Sequence, residues 1–395
     1  MKKRVLIFCE YYPPSHGGGG MYAMVNIVER FHGEYDFFVV AGDRMALGDD
    51  EVVPKARRDD WNEVGHARVQ YISTESLERG SIEGVLKRSK PDAVFLNSAF
   101  SRSALRFLRA RRSGAARSIP VIIAPCGEFL PNALATKALK KQIFLVYARA
   151  ARLYENVIWR ASSETEIPGI VRVIGRSSRI FVAPDLTPRE ILPDLDLASK
   201  PKKTSGSAKF VFLARIVKIK NLHFLLELLR EIHTGTIEIE IIGHEEDKEY
   251  WTQCRSLIDA MPTNIKVNCF GPVAQDEALE RLKNAHYFVL PTLSENFGFV
   301  FMEALAAGCP LLISDRTDWG AINDVGAGWV VPLSERSVWL KKIENCVAQG
   351  QEEYAAMSRS ARDFAVKWLA EPHYEQATAD LLESAVGSSG REAAA

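Results

Sequence analysis

Short apolar runs recur along the chain at intervals that leave room for a helix between them. Residues 5–9, 37–41, 69–72, 93–97, 121–124, 157–161 and 180–183 have the length and side chains of buried strands. A second series follows at 210–213, 237–242, 265–270, 287–290, 310–313 and 329–331. Several intervening segments show helical spacing, as in residues 21–31, where Tyr22, Val25, Ile27 and Val28 are apolar. Strands alternating with helices predict parallel, doubly wound sheets, which take ligands beyond the carboxyl ends of their strands. From 335 to 382 the pattern is largely helical, with a break near Pro372.

Two strand series in 395 residues imply two domains, since the chain is too long for one compact core. The stretch 184–208 is rich in Pro, Lys, Asp and Ser and lacks apolar periodicity, so it reads as a linker. The expected organisation is a first domain over 1–185, a linker over 186–208 and a second domain over 209–368. A crossover helix over 369–386 and a small-residue, disordered tail over 387–395 complete it.

Composition, at 47% hydrophobic and 25% charged, is that of a soluble globular protein. A formal net charge of zero argues against bulk nucleic-acid binding. The zero hides an asymmetry: residues 1–185 hold 28 Lys and Arg against 20 Asp and Glu, a net of +8, which leaves the remainder at −8. The six cysteines have no disulfide-like spacing, and Cys9, Cys269 and Cys346 fall in predicted strands or helices as small apolar fillers. The apolar run near the N-terminus stops at Glu10, short of a signal sequence, and no stretch approaches the roughly 20 apolar residues of a membrane helix. The expectation is a reduced, cytoplasmic protein.

The chemistry concentrates in residues 287–308. A strand is followed by a polar turn and then by an apolar helical stretch, 297–308, whose single charge is Glu303. A carboxylate buried there costs several kcal/mol unless something pairs with it; the plainer reading is a side chain reaching out to solvent. Glu295 stands eight residues earlier at the expected helix entrance, about 12 Å away along the axis. Between them the amides of Asn296, Phe297, Gly298 and Phe299 form a helix N-terminus, which favours anions. Two hydroxyl-reading acids flanking an anion-reading turn describe a site for a sugar nucleotide.

Glu295 and Glu303 with seven residues between them, followed by Ala-Leu-Ala-Ala-Gly-Cys-Pro, resemble the E-x7-E signature of retaining enzymes of glycosyltransferase family 4. The chain is similar in particular to the capsule and exopolysaccharide biosynthesis group 1 glycosyltransferases. Arg215 and Lys220, directly after the first strand of the second series, match the family's diphosphate pair in place and type. Chemically the pair suits a diphosphate leaving group, Arg215 through a planar fork and Lys220 as a point charge; the plainer reading is two surface charges. The resemblance covers nearly the whole chain and is looser in the first half. It implies a GT-B architecture: two Rossmann-like domains facing a central cleft, with the last helix crossing back onto the first domain. It also implies transfer of a sugar, with retention, from a nucleotide diphosphate sugar to a hydroxyl acceptor, without an essential metal or other cofactor. By this analogy Glu303 binds the ribose hydroxyls and Glu295 those of the donor sugar, while residues 296–299 hold the sugar and phosphate.

The first half supplies acceptor-side candidates. Gly17, Gly18, Gly19 and Gly20 lie between a predicted strand and helix, where glycines allow close backbone approach to a phosphate or sugar; a flexible turn is the alternative. Enzymes similar to family 4 carry a glycine-rich loop here. The spacing is not GxGxxG and no acid about 20 residues on completes a dinucleotide fingerprint, which disfavours a dehydrogenase. Two strand ends carry Asn97 with Ser98, and Pro125-Cys126-Gly127-Glu128. Related enzymes commonly have a basic residue where Cys126 stands; Cys126 reads as a small filler, and Glu128 as either a polar site residue or a structural ion-pair partner. Five arginines over 102–112 read as a solvated face. Lys137, Lys140 and Lys141 open another predicted helix and resemble acceptor-side segments, so a lipid-linked glycan acceptor and peripheral contact with the inner membrane face are expected.

Asp194-Leu-Asp196 has the DxD form that some metal-dependent transferases use, but it sits in linker composition, and no His or Cys set has metal-ligand spacing. Two other functions fit the same architecture. One is a non-catalytic partner subunit that binds the sugar nucleotide, suggested by Cys126; the other is a nucleotide-sugar epimerase.

Overall fold

The computed structural model describes residues 2–15, 17–45, 51–53, 60–130, 133–134, 138–175, 179–188, 191–192 and 195–387. Lys137, Asp194 and nearly all of the expected tail lie outside them. The chain divides into two compact units, Met1–Leu186 with Pro372–Ala395, and Thr187–Glu371.

The first unit runs β1 (Lys3–Phe8), α1 (Gly18–Phe31), β2 (Tyr35–Ala41), β3 (Asn62–Val64), β4 (Ala67–Tyr71), α2 (Arg79–Ser89), β5 (Ala93–Leu96), α3 (Arg102–Arg112), β6 (Val121–Ile123), α4 (Ala138–Ala150), β7 (Val157–Ala161), α5 (Ile167–Ile174) and β8 (Arg179–Val182). Its sheet has the order β3-β4-β2-β1-β5-β6-β7-β8. All pairings are parallel except β3 with β4. Strand β1 sits mid-sheet, and its Val5, Leu6, Ile7 and Phe8 are fully buried, so the strand reads as a continuous apolar run. Strand β3 escapes the hydrophobic pattern because Asn-Glu-Val is polar and lies at an edge; a turn with Gly65 at φ +54° returns it to β4.

Helix α1 begins at Gly18, so three of the four glycines form its first turn where the sequence predicts a loop. Packing requires Gly17, since a Cβ there would lie 2.4 Å from that of Tyr11. The final helix, Pro372–Val386, belongs to this first unit: Glu375 pairs with Arg30 of α1 at 2.7 Å, and Leu381 and Leu382 are fully buried.

The second unit has six parallel strands, β9 (Ser207–Leu213), β10 (Thr236–Ile242), β11 (Ile265–Phe270), β12 (Tyr287–Leu290), β13 (Leu311–Ser314) and β14 (Gly328–Val331), in the order β11-β10-β9-β12-β13-β14. Helices α6 (Leu222–Arg230), α7 (Lys248–Asp259), α8 (Gln275–Lys283), α9 (Phe299–Ala306) and α10 (Ala321–Asp324) connect them, and α11 (Arg336–Ala348) and α12 (Gln351–Ala370) follow.

The Lys- and Pro-rich stretch before β9 departs from the solvated tether that its composition predicts. Lys200 is buried and donates to the carbonyls of Lys283 at 2.9 Å and Ala307 at 3.0 Å; Lys203 is buried and donates to those of Gln349 at 2.8 Å and Val347 at 3.2 Å. Each ammonium thus closes helix C-termini, where carbonyls lack helical partners and the dipole favours a cation. Of the three cysteines expected as buried fillers, Cys9 and Cys346 are buried, but Cys269 is exposed because β11 is a sheet edge.

Candidate functional site

In the second sheet, β9 pairs with β10 on one side and β12 on the other, so the chain reverses its winding between β9 and β12. Loops beyond the carboxyl ends of such neighbours part to form a crevice. The loop after β9 carries Arg215 and Lys220; that after β12 carries Glu295. They are tied together by main-chain bonding from Leu293 N to Ile219 O at 2.7 Å and by Asn221 Nδ2 donating to Pro291 O at 2.9 Å. Asn221 takes φ +59°, a conformation asparagine tolerates, and turns the chain into α6.

Lys220 Nζ forms an ion pair with Glu295 Oε2, and both side chains are largely buried. Arg215 Nη1 pairs with Glu246 Oε2 at 2.5 Å while its guanidinium stays half-exposed, leaving most of its five donors available. Glu246 lies in the loop after β10, a strand-to-helix turn in which the sequence does not single it out. That loop approaches its neighbour closely: Gly243 has φ +152°, and a Cβ there would sit 1.9 Å from Ala214 O.

Helix α9 starts at Phe299, two residues later than expected, with Gly298 at φ +79°. The Trp319 indole donates to Phe297 O at 2.6 Å, and Phe301 N turns to Gly298 O at 2.8 Å. The carbonyl a longer helix needs is therefore taken by a side chain from elsewhere. Glu295 accordingly stands in an irregular loop, its amide bonded to Arg316 O at 3.2 Å, and the helical rise does not set its separation from Glu303. Trp319 also packs its ring against Phe297, Phe301 and Trp368, which stiffens the turn. Glu303 is on α9 as expected. Burial raises its carboxyl pKa, opposed by one hydrogen bond from Gln275 Nε2 at 3.2 Å.

A second group assembles in the first unit, also where winding reverses, between β1 and β5. A 420 Å³ cavity is lined by residues that include Glu10, Gly17, Gly20, Asn97, Phe100, Cys126 and Glu128. Asn97 Nδ2 donates to Gly20 O at 2.7 Å, fixing the start of α1 against the end of β5. Cys126, at φ +50°, donates its thiol to Asn97 Oδ1 at 3.2 Å, and burial pushes that thiol's pKa well up. Glu128 accepts from Ser98 Oγ at 2.6 Å and Ala99 N at 2.7 Å. Burial raises it to about 7, against these bonds and the pull of the Lys141 ammonium. Lys141 Nζ donates to Ala133 O at 2.5 Å. Glu10 and Ser101 are polar lining residues that the sequence does not single out as site residues; Glu10 lies just beyond the carboxyl end of β1, which is the signal that finds it.

Among the described residues no group of three or more His, Cys, Asp or Glu side chains is arranged to hold a metal ion. The described part of the DxD stretch, Asp196, caps a short turn through Ala198 N at 2.9 Å.

Residues 196–364, within the second unit, match the family model Glycosyl transferases group 1. A protein of Methanocaldococcus jannaschii named an uncharacterized glycosyltransferase, MJ1607, is 27% identical over 131 residues, 32% of this chain and 33% of its own length. The putative glycosyltransferase EpsF of Bacillus subtilis is 27% identical over 167 residues, 41% of this chain and 40% of its own. The chain thus spans a third to two-fifths of the length of these relatives. Among solved structures, Anabaena HepE in complex with UDP and glucose superposes with a TM-score of 0.72 at 14% identity, covering 97% of this chain and 100% of that one. The fold is GT-B, as the resemblance to glycosyltransferase family 4 implies.

Proposed function

We propose that the protein is a retaining glycosyltransferase that moves a sugar from a nucleotide diphosphate sugar to a hydroxyl acceptor in the synthesis of a cell-surface polysaccharide or glycolipid. The observation that carries this reading is the ion pair of Lys220 with Glu295 at the reversal between β9 and β12, inside the region that matches the group 1 model. Arg215 and Lys220 neutralise the departing diphosphate, which competes with Glu246 and Glu295 for their donors. Glu295 reads hydroxyls of the donor sugar, and Glu303 those of the ribose. The turn over 296–299 holds the sugar and phosphate, with Gly17 to Gly20 contributing amides from the start of α1. Asn97, Cys126, Glu128, Lys137 and Lys141 belong to the acceptor side, which the first-unit cavity supports. Catalysis then consists of stabilising the leaving group and holding the acceptor on the face it departs from. With two cations in that role, transfer needs no metal.

The test is a thermal-shift panel of nucleotide diphosphate sugars, followed by transfer assays with and without chelator and determination of the product's anomeric configuration. A binding donor at about 100 times its dissociation constant raises stability by roughly 2.7 kcal/mol. Unchanged transfer in Arg215→Ala and Lys220→Ala would refute the assignment, and activity lost in chelator and restored by Mg²⁺ would refute metal independence. Cys126 favours one second reading, a non-catalytic subunit: its thiol is engaged with Asn97, and it offers no cation to an acceptor. Tight donor binding without hydrolysis or transfer to any acceptor would select that reading. An isomerised sugar from donor alone would select an epimerase.

A further inference from the structure

Helix α4 presents an apolar stripe outward. Leu139, Ile143, Val146 and Tyr147 are 72%, 62%, 71% and 47% exposed, four of the seven large hydrophobic side chains found exposed among the described residues. Their spacing places them on one face at about 3.6 residues per turn. The opposite face is the one that packs: Ala148 is buried, Leu145 rests on the first-unit core, and the Phe144 ring lies 5.7 Å from that of Phe100. Phe100 in turn lines the first-unit cavity. The outward stripe is therefore not an unfilled core position, because the helix already has a buried face.

The helix contains no Asp or Glu, and the exposed Lys140 and Arg149 flank the stripe on its two sides. It belongs to the half of the chain that carries 28 Lys and Arg against 20 Asp and Glu. We propose that this face of α4 docks on an anionic membrane surface, lying in the plane of the interface with its four apolar side chains inserted among the headgroups. Its 13 residues span about 20 Å, too short to cross a bilayer, and Tyr147 has the amphipathic ring suited to that depth. Charge decides the occupant: two copies joined through this face would set cations against cations, whereas anionic lipid complements them. The five arginines of α3 do not compete for this role. Phe107 and Leu108 beside them are buried, and Arg106 and Arg111 are tied to main-chain carbonyls of Leu77 at 3.1 Å and Glu155 at 2.8 Å. Resting on the function proposed above, this docking brings the cavity beside Phe100 to headgroup depth and favours a lipid-borne hydroxyl acceptor.

The experiment is co-sedimentation of the full chain, without donor or acceptor, with vesicles of phosphatidylcholine alone and of phosphatidylcholine with phosphatidylglycerol, at low and high salt. Its result does not depend on whether the protein transfers sugar. Binding is expected to the anionic vesicles and to weaken with salt. The double variant Ile143→Glu, Val146→Glu is expected to lower the vesicle partition coefficient at least about tenfold with unchanged circular dichroism and melting temperature. Lys140→Glu is expected to weaken binding to anionic vesicles only. No vesicle binding by the native chain, or equal binding by the double variant, overturns the proposal. So does a native dimer that the double variant converts to monomer without any loss of vesicle binding, which assigns the stripe to a second copy.

Discussion

The ammonium of Lys220 lies against the carboxylate of Glu295, joining the loop after β9 to the loop after β12, with the two side chains only 14% and 15% exposed. Removing one partner strands the other charge in a poorly solvated place. Lys220→Ala is expected to lower transfer by about 100-fold, as loss of a group that stabilises developing negative charge does. Denaturant unfolding of Lys220→Met, Glu295→Gln and the double variant should give a coupling energy of roughly 1–3 kcal/mol; additive effects would show that the pair is not coupled.

The proposed role of Glu303 predicts a pH dependence of donor binding. Burial raises its pKa, so it takes up a proton at a pH where an exposed glutamate is still charged. In the proposed function the charged carboxylate is the form that accepts the ribose hydroxyls, and it is present above that pKa and lost below it. Donor affinity measured by calorimetry should therefore fall with pH before the ordinary glutamate range is reached. Glu303→Gln should bind roughly 10- to 100-fold more weakly and lack this dependence.

Gly243 is the point where the loops after β9 and β10 meet. Alanine there puts a Cβ 1.9 Å from Ala214 O at φ +152°, so the loops must separate. Gly243→Ala should cost at least about 2 kcal/mol in urea unfolding. Gly320, at φ −51° with no atom within 4 Å of an added Cβ, should tolerate alanine within about 1 kcal/mol.

Glu128 makes the first unit less stable as pH rises. Burial raises its folded-state pKa to about 7 from the ordinary glutamate value of 4.5, so the native state binds more protons between these two values. Stability falls as pH rises through that window and levels off above about 7, a total of roughly 3 kcal/mol. Melting curves of Glu128→Gln should lack this component, so the difference between variant and native protein should shift across the same window.

Lys200 tests whether the stretch before β9 is structural. Lys200→Met leaves the carbonyls of Lys283 and Ala307 without their donor and should destabilise by roughly 2–3 kcal/mol, whereas the exposed Lys202→Met should stay within about 0.5 kcal/mol. Equal effects would restore the tether reading.

The apolar runs were most legible at central strands, which are buried on both faces and so read as unbroken hydrophobic segments such as 5–8 or 287–290. The polar edge strand β3 was not, since pairing rather than burial defines it. Composition misled at 184–208 because lysine usually marks solvent, and only the helix ends folded around Lys200 and Lys203 supply the carbonyls that make their burial favourable.

The alternation of strand and helix, and with it two parallel doubly wound sheets, was legible in local period alone, while the GT-B class came from the resemblance to glycosyltransferase family 4. The candidates Arg215, Lys220, Glu295 and Glu303 came from their residue types and spacing together with that resemblance. Tertiary structure decided who partners whom: Glu246 with Arg215, Glu295 with Lys220, Gln275 with Glu303, and Trp319 with the carbonyl that sets where α9 begins. Each of these joins residues at least 22 positions apart, and such contacts follow from strand order. The outward stripe of α4 belongs to the same category: spacing marks a face, but only the packing of Phe144 and Ala148 shows that it is the other face that is buried.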